Sequence, residues 1–86
     1  MSAPASDREP LRAFFTEKIG GDRSLLPSDG ESLVDAGILD SFGLAELTAL
    51  IEQAYGVKVK DQDVGLEKFS SIDRIAAYIA GNSPAP

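Results

Sequence analysis

The sequence predicts an all-α fold: a small bundle of three main helices and one short helix, with a long loop between the first and second helices. Apolar residues recur at helical spacing in three segments, and glycines close each segment. No stretch alternates convincingly between apolar and polar residues as a strand does. The 86 residues leave room for one small domain, which buries only about 60–65% of its unfolded surface.

The first helix is predicted between Asp7 and Ile19. Its core face carries apolar residues at i, i+3, i+4 and i+8, namely Leu11, Phe14, Phe15 and Ile19. Two first residues a few positions apart are compatible with the sequence. Ser6–Glu9 matches the capping-box pattern, while Pro10 suits the first helical position. Gly20 and Gly21 end the helix.

Residues 22–40 are predicted to form the long loop, since they lack helical periodicity and contain Pro27, Gly30 and Gly37. Loops of this length in small domains are usually functional or packed by their own apolar side chains. Six side chains are candidates for that packing: Leu25, Leu26, Leu33, Val34, Ile38 and Leu39.

The second helix is predicted from Ser41 to Tyr55, closed by Gly56. Its core face is made of Leu44, Leu47, Ile51, Ala54 and Tyr55. The short helix is expected as one turn at Asp61–Val64. The last helix is expected from Ile72 to Ala80, with Ser70 or Ser71 as its N-cap and Gly81 as its end.

Both ends of the chain, residues 1–6 and 81–86, are small, polar and rich in Pro, which predicts disordered tails around a domain at 7–80. The first residues lack the basic and apolar parts of a signal peptide. No apolar run approaches the roughly 18–20 residues of a membrane span. The cytoplasm is therefore the expected compartment.

Composition excludes several functions. The chain has no His and no Cys, so the commonest general base, thiolate chemistry and the commonest metal ligands are missing. Neither an enzyme nor a metal site is expected. A formal net charge of −6 argues against binding of nucleic acid and of anionic membranes.

The negative charge is placed unevenly along the chain. Between Ser24 and Val57 there are six acidic residues and no Lys or Arg, while the remaining residues carry eight of each sign. A solvated surface is the ordinary explanation of such a run. The one-sided placement favours a docking surface for basic partners, because mixed signs would serve solubility equally well.

The start of the second helix presents an outward face. Phe42 lies about 160° around the helix from Leu44 and cannot share the core face, although it could fold back under the long loop. A small apolar strip with acidic borders is expected there, made of Phe42, Ala45 and Ala49 with Glu46 and Glu52. Such a strip suits transient recognition by another protein.

Ser41 allows two interpretations. An Asp-Ser pair before a helix is most often a cap, and no histidine is present to make Ser41 a nucleophile. A hydroxyl at a helix N-terminus is nevertheless a good attachment point for a phosphate, because the macrodipole and the free backbone N–H groups stabilise an anion. If a partner enzyme supplies the catalysis, Ser41 only has to be exposed and rigidly held.

These segments together resemble the acyl carrier and peptidyl carrier protein family. The resemblance rests on residues 37–42, the helix through 55–57, residues 63–64, and residues 69–72 through 78–79. It implies an acyl-carrier-like four-helix bundle in which Ser41 receives 4′-phosphopantetheine from coenzyme A, with Asp40 as its acidic neighbour. Phe42 replaces the usual Leu of the Asp-Ser-Leu motif.

The resemblance further implies a monomeric carrier that holds an acyl, aminoacyl or peptidyl group as a thioester. Its partners would be a phosphopantetheinyl transferase, an acyl- or aminoacyl-activating ligase, and a downstream synthase or transferase. Gly43 and Gln53 stand where fatty acid carriers usually have acids. The likeness is therefore greater to stand-alone aminoacyl or D-alanyl carriers and to carriers of secondary metabolism.

Two other hypotheses remain from the residues themselves. A non-covalent acidic adaptor would use Asp40 and Ser41 only as a helix cap. A calcium module at Asp61–Asp63 is disfavoured, because Leu66 and Ile72 stand where the EF-hand pattern requires Gly and Glu.

Overall fold

The computed structural model describes residues 3–82 and is helical. Helix α1 spans Glu9–Lys18, α2 spans Ser41–Tyr55 and α3 spans Ile72–Asn82. Two single 3₁₀ turns lie between them, at Arg23–Leu25 and Asp61–Asp63. There is no strand within residues 3–82, and the prediction of an all-α fold is confirmed. The expected short helix is present only as the second 3₁₀ turn.

The start of α1 differs in detail from both sequence-based alternatives. The capping position is Arg8, whose side chain makes no cap hydrogen bond. Instead, Oδ1 of Asp7 accepts the backbone N–H of Glu9 at 3.0 Å, and Pro10 follows as the second helical residue. The helix ends as predicted, because Gly20 adopts a φ of +93°, which other residues rarely reach.

Helix α2 has the predicted bounds. Gly56 closes it in the left-handed conformation, at φ +69°, and donates its N–H to the carbonyl of Glu52. Helix α3 starts where Ser71 Oγ accepts the N–H of Arg74 at 3.1 Å, as an N-cap does. The expected end at Gly81 is wrong, since the helix continues through Gly81 to Asn82.

The core lies among the three helices, the long loop and the segment after α2. Its fully buried large side chains are Leu11, Phe15, Leu33, Leu47, Ile51, Val57, Phe69, Ile72, Ile75 and Ile79. From the loop, Leu33 and Leu39 are only 1% and 2% exposed, as expected. The prediction for Leu25 is wrong: its side chain is 66% exposed, because the first 3₁₀ turn faces it away from the core.

The ends of the described chain bear on the domain limits. The N–H of Ala3 donates to the carbonyl of Ala54 at 2.7 Å, and Ala3 and Ala5 pack against the core. Residues 3–6, assigned above to a tail, therefore contact the domain. Residues 1–2 and 83–86 of the predicted tails lie outside the described residues, and the domain limits of 7–80 stay a prediction. None of the described helices has the length and hydropathy needed to cross a bilayer.

Candidate functional site

The segment before α2 is held to the core by one buried leucine. The carbonyl of Leu33 accepts the N–H groups of Ile38 and Leu39 at 2.9 and 3.1 Å. The N–H of Leu33 in turn donates to the carbonyl of Ser70 at 2.6 Å, beside the start of α3. The chain thus enters α2 from a buried residue, Leu39, and this fixes the position of the residues that follow.

Asp40 is the N-cap of α2. Its backbone is extended, and its Oδ1 accepts the N–H of Gly43 at 2.8 Å. Gly43 is buried, and a Cβ at this position would come within 3.3 Å of Leu39 Cδ1. Glycine therefore lets the first turn of α2 lie close to the loop that anchors it.

Ser41 is the first residue of α2 and is exposed. Its hydroxyl makes no hydrogen bond to any atom of residues 3–82, and Asp40 performs the capping. The free N–H groups of a first helical turn and the helix macrodipole both favour an anion at this place. An accessible hydroxyl beside an anion-stabilising helix end is the arrangement that a phosphodiester linkage to serine needs.

The apolar strip predicted on α2 is exposed. Phe42 is 87% exposed, so the alternative in which it folds under the loop is wrong. Ala45 and Ala49 are exposed on the same helix. A single exposed apolar side chain is ordinary on a protein surface, so the contact of Phe42 with partners stays a prediction.

The two acidic residues bordering the strip already have partners within the molecule. Glu46 Oε1 accepts a hydrogen bond from Lys18 Nζ at 2.6 Å, across from the end of α1. Glu52 Oε2 accepts the backbone N–H of Val59 at 3.2 Å. Neither contact follows from the sequence pattern, because 28 residues separate Lys18 from Glu46 and the Glu52 contact depends on how the chain turns after α2. Steering by these carboxylates stays a prediction.

Basic residues of α1 also reach the acidic loop. Asp29 Oδ2 accepts hydrogen bonds from Arg8 Nη1 at 2.9 Å and from Arg12 Nη2 at 2.6 Å. Arg12, followed by Arg8, lowers the pKa of the Asp29 carboxyl. Arg8 also donates to Asp73 on α3. The uneven charge seen along the sequence is therefore partly balanced in space by α1.

Asp63, a candidate calcium ligand, is engaged in other contacts. It accepts hydrogen bonds from the hydroxyl of Tyr78 at 2.8 Å and from Lys68 Nζ at 3.1 Å. These bonds, that of Tyr78 above all, lower the pKa of its carboxyl. Across residues 3–82 no three His, Cys, Asp or Glu side chains are grouped so that they could hold a metal ion.

Comparisons with known proteins agree on one family. Residues 10–79 match the family described as "Phosphopantetheine attachment site". The acyl carrier protein of Thermotoga maritima is 36% identical over 69 residues, which cover 80% of this chain and 82% of that protein. The D-alanyl carrier proteins of Streptococcus equi subsp. zooepidemicus and Streptococcus uberis are 40% and 38% identical over 45 residues. These two matches cover 52% of this chain and 57% of each relative. No solved structure matches.

Proposed function

Since the chain belongs to the phosphopantetheine-binding carrier family, we propose that Ser41 is the residue that bears the arm. Members of this family are carriers and not catalysts, and this protein carries an acyl or D-alanyl group on covalently attached 4′-phosphopantetheine. When bound, the arm supplies the thiol that holds the cargo as a thioester. The chain itself supplies the attachment residue, its rigid support and the surface presented to partners.

One observation supports this assignment above the others: the Ser41 hydroxyl is exposed and unbonded within the described chain, while Asp40 holds the helix end. In the attachment step, Ser41 Oγ forms a bond to the phosphorus next to the pantetheine moiety of coenzyme A. The bond from that phosphorus to adenosine 3′,5′-bisphosphate breaks, and the nucleotide leaves. A phosphopantetheinyl transferase accepts the hydroxyl proton, since this chain contains no histidine.

The surface next to Ser41 supports a division of roles in partner binding. Phe42, Ala45 and Ala49 supply apolar contact for a transferase or ligase, since all three are exposed on one helix. Asp40, Glu46 and Glu52 attract basic partner surfaces, mainly by raising the association rate, so their effect decreases as salt screens it. A downstream synthase or transferase would use the same surface, in the cytoplasm.

Two cargo classes have support from the relatives. The acyl carrier protein match extends over most of the chain, whereas the D-alanyl carrier matches cover 45 residues. Gly43 and Gln53, in place of the acids expected in fatty acid carriers, favour an aminoacyl cargo. The loaded protein isolated from its producing cell, weighed intact, would identify the cargo.

The test uses the absence of cysteine in the chain. After incubation with coenzyme A and a broad-specificity transferase, the protein is expected to gain one pantetheinyl mass and one titratable thiol, where the untreated protein has none. Ser41→Ala is expected to gain neither and to keep its helical circular dichroism. Ser28→Ala, which changes an exposed loop serine, is the matched control and should load normally.

Modification of Ser41→Ala would contradict the attachment site. A wild-type protein that stays unmodified with a competent transferase would instead favour the acidic adaptor, in which Asp40 and Ser41 serve only the helix.

A further inference from the structure

A groove separates α1 from α2 on the side of Glu46. It encloses about 360 Å³ and is lined by Phe14, Glu17, Lys18 and Glu46. Lys18 is the last residue of α1 and places its ammonium group in this groove. Its Nζ lies 2.6 Å from Glu46 Oε1 and 5.3 Å from the centre of the Phe14 ring. Both contacts are of the kind that binds a cation.

The groove adjoins the surface proposed for partner binding. Glu46 follows Ala45 in the sequence, and it lies five residues after Ser41, or about 7.5 Å along the helix axis. The Glu46 side chain is 58% exposed and that of Lys18 is 32% exposed. A basic side chain of a partner enzyme that approaches Glu46 therefore meets a carboxylate that already has a cation bound.

We propose that Lys18 determines the strength and selectivity of docking by competing, within the molecule, with the basic side chain of the partner for Glu46. The proposal rests on the partner surface given under the proposed function. Lys18 is well placed for this role, because a cation at the end of α1 also interacts favourably with the helix macrodipole. The competition is necessarily modest, since an exposed ion pair supports a change of only about two- to five-fold.

This competition also gives selectivity. A partner with one weakly placed Lys competes poorly with Lys18, which is held beside Glu46 at no cost in association entropy. A partner that offers an Arg can bind the carboxylate with two parallel hydrogen bonds and can displace the lysine. Partners without such a group are disfavoured by the same factor of about two to five, although they are as basic overall.

The test compares Lys18→Gln with Lys68→Gln. Both changes remove one positive charge and one exposed ion pair, but the partner of Lys68 is Asp63 and not a residue of α2. Transfer from coenzyme A by a phosphopantetheinyl transferase is followed at low and high salt. Lys18→Gln is expected to raise kcat/KM about two- to five-fold at low salt, chiefly through KM, and Lys68→Gln to leave it unchanged. The gain should vanish at high salt and in the double variant Lys18→Gln with Glu46→Gln.

The outcomes separate the two proposals. If Glu46→Gln slows transfer while Lys18→Gln does not accelerate it, the competition is overturned and the partner surface stands. The competition is also overturned if Lys68→Gln accelerates transfer equally, because net charge alone would then explain the gain. If Glu46→Gln changes nothing at low salt, the proposed partner surface itself fails and the competition fails with it.

Discussion

Asp40 directly precedes Ser41, the serine proposed to bear the arm, and its carboxylate accepts the backbone N–H of Gly43 at 2.8 Å. This contact separates two tasks that an Asp-Ser pair can share. Asp40 satisfies an N–H group of the first turn, and Ser41 is left exposed at the first helical position. If the serine itself capped the helix, its hydroxyl oxygen would already accept a backbone N–H group.

Replacing Asp40 tests whether it acts through the cap or through its charge. Asp40→Ala removes the cap and is expected to cost about 0.5–2 kcal/mol of the free energy of unfolding, and to slow transfer to Ser41. Asp40→Asn keeps an oxygen that can accept the Gly43 N–H, so stability should stay close to that of the wild type, and transfer should lose only the part that the charge supplies and that salt screens. Urea unfolding and transferase kinetics measure both effects. Equal slowing in the two variants would show that the charge of Asp40 matters and the cap does not.

Phe42 is expected to serve partners and not the fold. Because its side chain is 87% exposed, Phe42→Ala should change the free energy of unfolding by no more than about 0.5 kcal/mol. The KM for the transferase is expected to rise, since an exposed aromatic contact is lost. Leu25→Ala removes another exposed apolar side chain, outside α2, and is the control that should leave both quantities unchanged. A large loss of stability in Phe42→Ala, or unchanged kinetics, would contradict this role.

The sequence predicted local features better than contacts between distant elements. The bounds of α2 follow from neighbouring residues, Asp40 at one end and Gly56 at the other, and both were predicted correctly. The exposure of Leu25 was not predicted, because a loop has no periodicity from which to infer whether an apolar side chain faces the core or the solvent. The end of α3 was placed too early, since a glycine can also continue a helix.

The ion pairs were beyond the reach of sequence reasoning. Lys18 and Glu46, like Arg12 and Asp29, come together only when α1 packs against its neighbours. Charge counted along the chain therefore overstated how acidic the surface around Asp29 and Glu46 is. The hydroxyl of Ser41 could be singled out from the motif, but that Asp40 alone forms the cap depends on a backbone geometry that the motif does not specify.

Asp29 is expected to contribute to stability at neutral pH and to lose this contribution in acid. Its pKa in the folded protein is lowered, chiefly by Arg12, from an ordinary value of 3.8. The stabilisation is therefore complete above about pH 5 and declines as the pH falls through the folded pKa. Asp29→Asn should cost about 1 kcal/mol at pH 7, a value kept low because the partner side chains of Arg8 and Arg12 are 33% and 40% exposed to solvent.

The measurement for Asp29 is urea unfolding at a series of pH values. The difference between wild type and Asp29→Asn should shrink towards zero below the folded pKa. Asp35→Asn, a change of an exposed acid in the same loop, is the matched control and should leave the free energy of unfolding at pH 7 close to that of the wild type, because no ion pair is formed by Asp35 within residues 3–82. A difference for Asp29 that stays constant with pH would mean that its carboxylate is not stabilised by the arginines.

Leu33 tests whether the long loop belongs to the core. Its side chain is 1% exposed, its N–H binds the carbonyl of Ser70, and its own carbonyl binds Ile38 and Leu39 ahead of α2. Leu33→Ala should therefore lower the free energy of unfolding by about 2–5 kcal/mol, as truncation of a helical core residue such as Leu47 would. A domain of this size has only about 4–13 kcal/mol in total, so the loss should appear as a much lower urea midpoint, and circular dichroism without urea shows whether the helices are intact.

Loosening the loop should also affect the site. With a cavity at Leu33, the turn that leads into Asp40 is less firmly anchored, and transfer to Ser41 is expected to slow under conditions in which circular dichroism shows the helices intact. Leu25→Ala, the exposed leucine of the same loop, should match the wild type in both stability and transfer. If Leu33→Ala lost stability without slowing transfer, the loop would act only as part of the core and the position of Ser41 would depend on the Asp40 cap alone.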